Sequence, residues 1–226
     1  MGTPSAIVLT NATGLPFAGI DAAAVVTAAE AISANNNDTT IPTSAAVYNV
    51  SGRVLLASKT ASASASLSFT EFDNAVYRYY EFVLENVKPA TDAVGLLMRF
   101  STDAGATYDA GASDYTYGLI GLQVTSSVTQ STSAGNGRIE LTFNADVGNA
   151  AGERGVSGQL TLFNPGLTTE QTRIKIDTVW HNPLGVITTA TGHGVRLADQ
   201  DTNAVRFLFG SGNIASGTIR LYGILQ

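Results

Sequence analysis

The 226 residues predict a mainly β protein, an antiparallel β-sandwich of jelly-roll-like form preceded by a short, partly helical N-terminal segment. Three observations carry that expectation. From about Arg53 onward, apolar residues recur at every second position, the period of a strand with one covered face. The runs are short and separated by clusters of Gly, Asn, Asp and Pro, as in strands joined by turns. Before residue 50 the chain is rich in Ala, Thr and Asn, carries almost no charge, and changes to a helical period.

Within residues 1–50, DAAAVVTAAEAIS (21–33) reads as a helix with Asp21 placed to cap it. Val25, Ala29 and Ile32 follow at spacings of four and three and form a narrow apolar stripe. NNND (35–38) ends that element. IPTSAAVYNVSG (41–52) then puts Pro42 near a helix start and Gly52 at a stop. The segment is too small and polar to bury a core, while ordering it costs about 1–2 kcal/mol per residue. Residues 1–50 are therefore expected to be an attachment and oligomerisation segment, with Val25, Ala29 and Ile32 packed against copies of themselves. Residues 51–226 are expected to be the β-sandwich head domain.

The head reads as about eleven strand candidates: RVLLAS, SASLSFT, VYRYYEFVLENV, AVGLLMRFS, YGLIGLQVTSSVTQ, GRIELTFNA, GQLTLFN, TRIKIDTVWHN, GVITTATG, AVRFLFG and GTIRLYGIL. Ile139, Leu141 and Phe143 alternate with Glu140 and Thr142, which predicts one wet face. Ile174, Ile176 and Trp180 mark the covered face of another strand. FGSGNIASGTIRLYGIL reads as a closing hairpin that ends inside the sheet. No repeat of 20–50 residues is visible in the sequence, which excludes a propeller of similar blades.

Composition removes several function classes. A net charge of −6, with twelve Lys and Arg scattered singly, argues against nucleic acid as a partner. With no cysteine there is neither a disulfide scaffold nor a thiolate metal site, and two histidines are too few for a transition-metal site. No cofactor is expected. No apolar run approaches the roughly 18 residues of a membrane span, so membrane insertion is not expected. MGTPSAIVLTNATG lacks a basic region followed by an apolar stretch, so it is not read as a secretory signal. Charged residues make up only 13% of the chain, about half the usual share, which fits a surface partly covered by other copies.

One short stretch raises a chemical question. In STDAGATYDAGASDY (101–115), Ser101, Asp103, Gly105, Thr107 and Tyr108 resemble the Asp-box, S-x-D-x-G-x-T-W/Y, of sialidases and other glycan-handling proteins. In such a turn Asp103 accepts hydrogen bonds from backbone N–H groups, Gly105 supplies a positive φ, and Tyr108 folds back onto the sheet. A structural turn is the expectation. Glycoside cleavage commonly needs two carboxyl groups across the scissile bond. The local cluster is Asp103, Asp109 and Asp114, at spacings of six and five, without a matching set of arginines. An enzyme is not expected. The same aspartates could hold Ca²⁺, although their spacing does not follow an EF-hand loop. His181 is placed opposite the core residues of its strand and His193 in a loop. No G-x-S-x-G elbow and no G-x-x-x-x-G-K-S/T loop occurs. Tyr108, Tyr115 and Tyr117, with Asp109, Ser113 and Asp114 between them, form a candidate glycan or receptor contact loop. Taken singly, each tyrosine reads as filling, Tyr80 and Tyr108 in the core and the others in an interface, and binding is expected only of the loop as a group.

The N-terminal stretch GTPSAIVLTNATGLPFAGI (2–20) resembles segments that recur in bacteriophage tail-fibre and related virion proteins. NNNDTTIPTSAAVYNV (35–50) is similar to the stretch that precedes the distal domain of such fibres. YYEFVLENVKPATDAVGLLMRFSTDAGATYDAGASDY and ASGTIRLYGIL are similar to C-terminal domains of phage structural proteins. The resemblance implies a virion structural protein, a tail fibre or a head fibre or spike, synthesised in the host cytoplasm. It also implies a homotrimer, because such fibres are trimeric, and contacts with other virion proteins through residues 1–50. The head is then expected to be displayed for binding to a host-surface polysaccharide. Capsid decoration or reinforcement is the alternative, and a glycan depolymerase the competing class.

Overall fold

A computed structural model of the chain describes residues 52–124, 128–144 and 146–225. The expected helix at 21–33 and the contact residues Val25, Ala29 and Ile32 lie outside the described residues. Within them the chain is mainly β, and every strand pairing is antiparallel.

The strands are β1 (Arg53–Thr60), β2 (Leu67–Phe69), β3 (Tyr79–Pro89), β4 (Leu96–Ser101), β5 (Tyr115–Gln123) and β6 (Val128–Asn136). β7 (Ile139–Glu140), β8 (Val156–Phe163), β9 (Arg173–His181), β10 (Ile187–Arg196), β11 (Ala204–Phe209) and β12 (Ile214–Ile224) follow. One sheet has eight strands in the order β1-β12-β3-β8-β9-β10-β5-β6, and the other has four in the order β2-β11-β4-β7. No helix occurs among the described residues.

Strict alternation explains the central strands. Along β9, Ile174, Ile176, Thr178 and Trp180 are buried while Arg173, Lys175, Asp177 and Val179 are exposed. That is the pattern of a sheet covered on one face and open on the other. The two sheets share one core. Phe69 of β2 and Phe207 of β11 meet Phe82 of β3 edge to face, with ring centroids 5.5 and 5.1 Å apart. Such contacts add about 0.5–1.5 kcal/mol each beyond the area they bury. Trp180 closes the far end of the core against Phe143 at 5.6 Å, and its Nε1 donates to Asp146 O at 2.8 Å.

Four expectations require correction. Glu140 and Thr142 are buried, so the 139–143 stretch has no wet face. Ile139 packs over Gly194 of β10, Glu140 accepts from Ser131 and Arg138, and Thr142 Oγ1 accepts from Leu96 N at 2.9 Å. The stretch read as one strand from Tyr117 to Gln130 is two, because β5 and β6 pair with each other. β11 and β12 belong to different sheets, so the terminal stretch crosses between sheets and does not form a hairpin, although β12 does end between β1 and β3. His193 lies on β10 and not in a loop.

Candidate functional site

The turn after β4 is built around Asp103. Its Oδ1 accepts from Thr107 N at 2.8 Å and from Ser101 Oγ at 2.7 Å, and its Oδ2 accepts from Thr107 Oγ1 at 2.6 Å. Ser101 Oγ in turn accepts from Gly105 N at 3.0 Å. The bonds from Thr107 and then from Ser101 hold the Asp103 carboxyl down at about 2. Gly105 has φ +87°, and a Cβ there would lie 2.9 Å from Tyr108 Oη. Both conformation and close approach therefore require glycine. The Tyr108 ring returns to the four-stranded sheet, where the Arg206 guanidinium sits 3.8 Å from its centroid. Ser101, Asp103 and Thr107 are satisfied by one another, while the buried Tyr108 hydroxyl has no hydrogen-bond partner.

The neighbouring loop splits into an inner and an outer part. Tyr115 and Tyr117 begin β5 and point inward, both buried. Tyr115 Oη accepts from Phe100 N at 2.8 Å and donates to Asp109 O at 3.2 Å. Burial pushes both hydroxyls above their ordinary value. These two tyrosines are therefore core residues and not a stacking platform, because the strand period turns odd-numbered positions of β5 inward. Asp109, Ser113 and Asp114 remain at the surface.

They line a hollow of about 280 Å³ together with Arg196, Leu197 and Gln200. Arg196, at the inner end of β10, is 3% exposed. Its Nε donates to Asp109 Oδ2 at 2.6 Å, and its outer nitrogens donate to Gln200 Oε1 at 2.9 Å and Gln200 O at 3.4 Å. Asp114 Oδ2 accepts from Gly111 N at 2.6 Å, which folds the loop tip back. The three aspartates are thus committed separately: Asp103 to Thr107, Asp109 to Arg196, Asp114 to Gly111. No group of three or more His, Asp or Glu that could hold a metal ion occurs among the described residues. Likewise, no helix there is long and apolar enough to cross a membrane.

The chain matches no family model, no curated protein and no solved structure.

Arg196 and Gln200 escaped the reading of the sequence. The available signal was a charge at an inward position of β10, where Thr188, Ala190 and Gly194 otherwise face the core. The outer face of the eight-stranded sheet also went unread. One part of it is apolar, with Ile120, Leu122, Val128, Val179 and Ile187 all exposed. Another part is aromatic and basic. There Tyr79, Phe163, Asn164, Arg173, Lys175 and His193 line a groove of about 380 Å³.

Proposed function

We propose that the chain is a bacteriophage virion structural protein of the tail-fibre or head-fibre type. Residues 51–226 form a jelly-roll-like β-sandwich head, displayed for contact with a host-surface polysaccharide. Residues 1–50 attach it to the particle and join three copies through Val25, Ala29 and Ile32. The observation that carries the binding reading is the hollow beside β10. Asp109 and Gln200 are held in fixed positions by the buried Arg196, and Ser113 and Asp114 complete the rim. A few polar groups fixed by a rigid scaffold suit recognition of sugar hydroxyls. A glycosidase reading draws no support from the same residues. Asp109 is paired with Arg196 and Asp114 accepts from Gly111 N, so the two carboxylates are held by the loop and not set across an open cleft.

The test is retention of the intact protein on an array of neutral bacterial surface polysaccharides, with Ser113→Trp filling the hollow from an exposed position. Retention lost in the variant supports the reading. Retention on no polysaccharide, or retention undiminished by the tryptophan, removes it. Antibody labelling of phage particles, at the tail or on the shell, separates a fibre from a decoration protein.

A further inference from the structure

We propose that the outer face of the eight-stranded sheet carries a second binding site, independent of the hollow beside Arg196, for a sugar ring bearing a carboxylate.

Strand register builds it. Tyr79 of β3 lies directly opposite Phe163 of β8, and Phe163 opposite Arg173 of β9. Two positions along β9, Lys175 lies opposite His193 of β10. Directly opposed residues share a face, and Arg173, Lys175 and His193 are all exposed. Adjacent strands sit about 4.8 Å apart and residues i and i+2 about 7 Å apart. Two rings and three basic groups therefore occupy one shallow patch, open to solvent and continuous from β3 to β10. The rings themselves are fixed, meeting edge to face with centroids 5.7 Å apart.

Charge makes this patch unusual for the chain. The protein carries a net charge of −6 with only twelve Lys and Arg, yet two of those and one of its two histidines converge here. The acids in reach do not close the site. Arg173 meets Glu170 at 3.3 Å and Lys175 meets Asp177 at 2.9 Å, with every partner at least half exposed. Exposed pairs of this kind hold by about 0–1 kcal/mol and yield to a better-placed anion. A guanidinium engages a carboxylate through two parallel N–H donors, while an ammonium acts as a point charge beside it. Tyr79 and Phe163 offer apolar ring surface for the aliphatic face of a sugar, with the Tyr79 hydroxyl and Asn164 amide at its edge. A bare inorganic anion would leave the rings unused. A neutral sugar would leave the cations unused. A polynucleotide would meet the repulsion of the remaining negative surface.

Trigalacturonate is the acidic probe and maltotriose the neutral one, both titrated calorimetrically into the full chain. The expected result is trigalacturonate binding that weakens as salt rises, with maltotriose bound at least tenfold more weakly, as for loss of one charged contact of about 1.4 kcal/mol. The double variant Arg173→Gln/Lys175→Gln, checked by thermal melting, should lose about tenfold or more in affinity for the acidic probe. Ser113→Trp should leave that affinity unchanged, which separates this groove from the hollow. The proposal is overturned by equal affinity for both probes, by absence of trigalacturonate binding at millimolar concentration, or by binding that survives the double variant. Loss of binding in Ser113→Trp alone would place the sugar in the hollow and overturn the groove as well.

Discussion

Arg196 Nε donates to Asp109 Oδ2 at 2.6 Å, with the arginine side chain 3% exposed and the aspartate 30%. That asymmetry decides which partner is harder to lose. Asp109→Ala leaves a guanidinium buried with only Gln200 to satisfy it, and should cost about 3 kcal/mol. Arg196→Met leaves a carboxylate that water already reaches and fills the arginine's space with apolar chain, so it should cost less. Urea midpoints of the two variants check the order; an equal loss in both would refute it.

Asp103 sets an acid limit on the turn. Its carboxyl is held at about 2, below the ordinary value, by Thr107 and then Ser101. A depressed folded-state pKa contributes stability that is fully present above the ordinary carboxylate value and is lost as pH falls through the folded one. Asp103→Ala should therefore lower Tm at neutral pH. The gap to the parent protein should shrink between about pH 4 and pH 2 and then vanish. Melting curves across that range read the effect, and a gap independent of pH would contradict it.

Asp146 behaves in the opposite sense. Desolvation pushes its carboxyl above the ordinary value, and the hydrogen bond from Trp180 offsets this only in part. A raised folded-state pKa contributes stability present below the ordinary value and lost as pH rises through the folded one. At neutral pH the charged form is the unfavourable one. Asp146→Asn should raise Tm at pH 7 and give no gain in acid, while Trp180 keeps its bond to Asp146 O. Fluorescence of this single tryptophan follows the unfolding, and a lowered Tm at pH 7 would count against it.

Tyr115 supplies the acceptor for Phe100 N and a donor for Asp109 O. Tyr115→Phe preserves the ring contact with Phe100 at 5.8 Å but leaves a buried N–H unpaired. The expected cost is about 1–3 kcal/mol. A neutral result in chemical denaturation would mean the hydroxyl is dispensable.

The β character was legible because one face of most strands is covered, and alternation records that directly. Ile174, Ile176 and Trp180 are inward for this reason. The signal fails where both faces are covered, as at Glu140, whose partners Ser131 and Arg138 lie close in sequence but leave no periodic mark. It also fails where a glycine does not turn the chain. Gly192 and Gly194 read as a loop around His193, yet both stay in β10. A Cβ at Gly194 would lie 2.6 Å from Ile139 Cγ2, so that glycine is there for close approach. Conversely, the reversal between β5 and β6 has no Gly or Pro in GLQVTSSVTQ after Gly121 and went unseen. At the candidate site, Asp109, Ser113 and Asp114 could be found as a polar loop tip. Arg196 and Gln200 reach them from far along the chain, and only the pairing of β10 with β5 brings them there.

The position of β12 imposes an order on assembly during synthesis. β1 is the first strand of the described domain and its one sheet neighbour is β12, with Arg53 opposite Ile224 and Thr60 opposite Thr218. A ribosome must therefore release residues 214–224 before β1 can be paired at all, and until then β3 also exposes the edge that β12 will occupy. Pairings this distant in sequence close slowly. The nascent chain carries two open backbone edges until β12 has been made, and its β8-β9-β10-β5-β6 half can zip while they wait. Slow closure of this kind makes the yield of native protein depend on how well those edges are shielded until residues 214–224 pair.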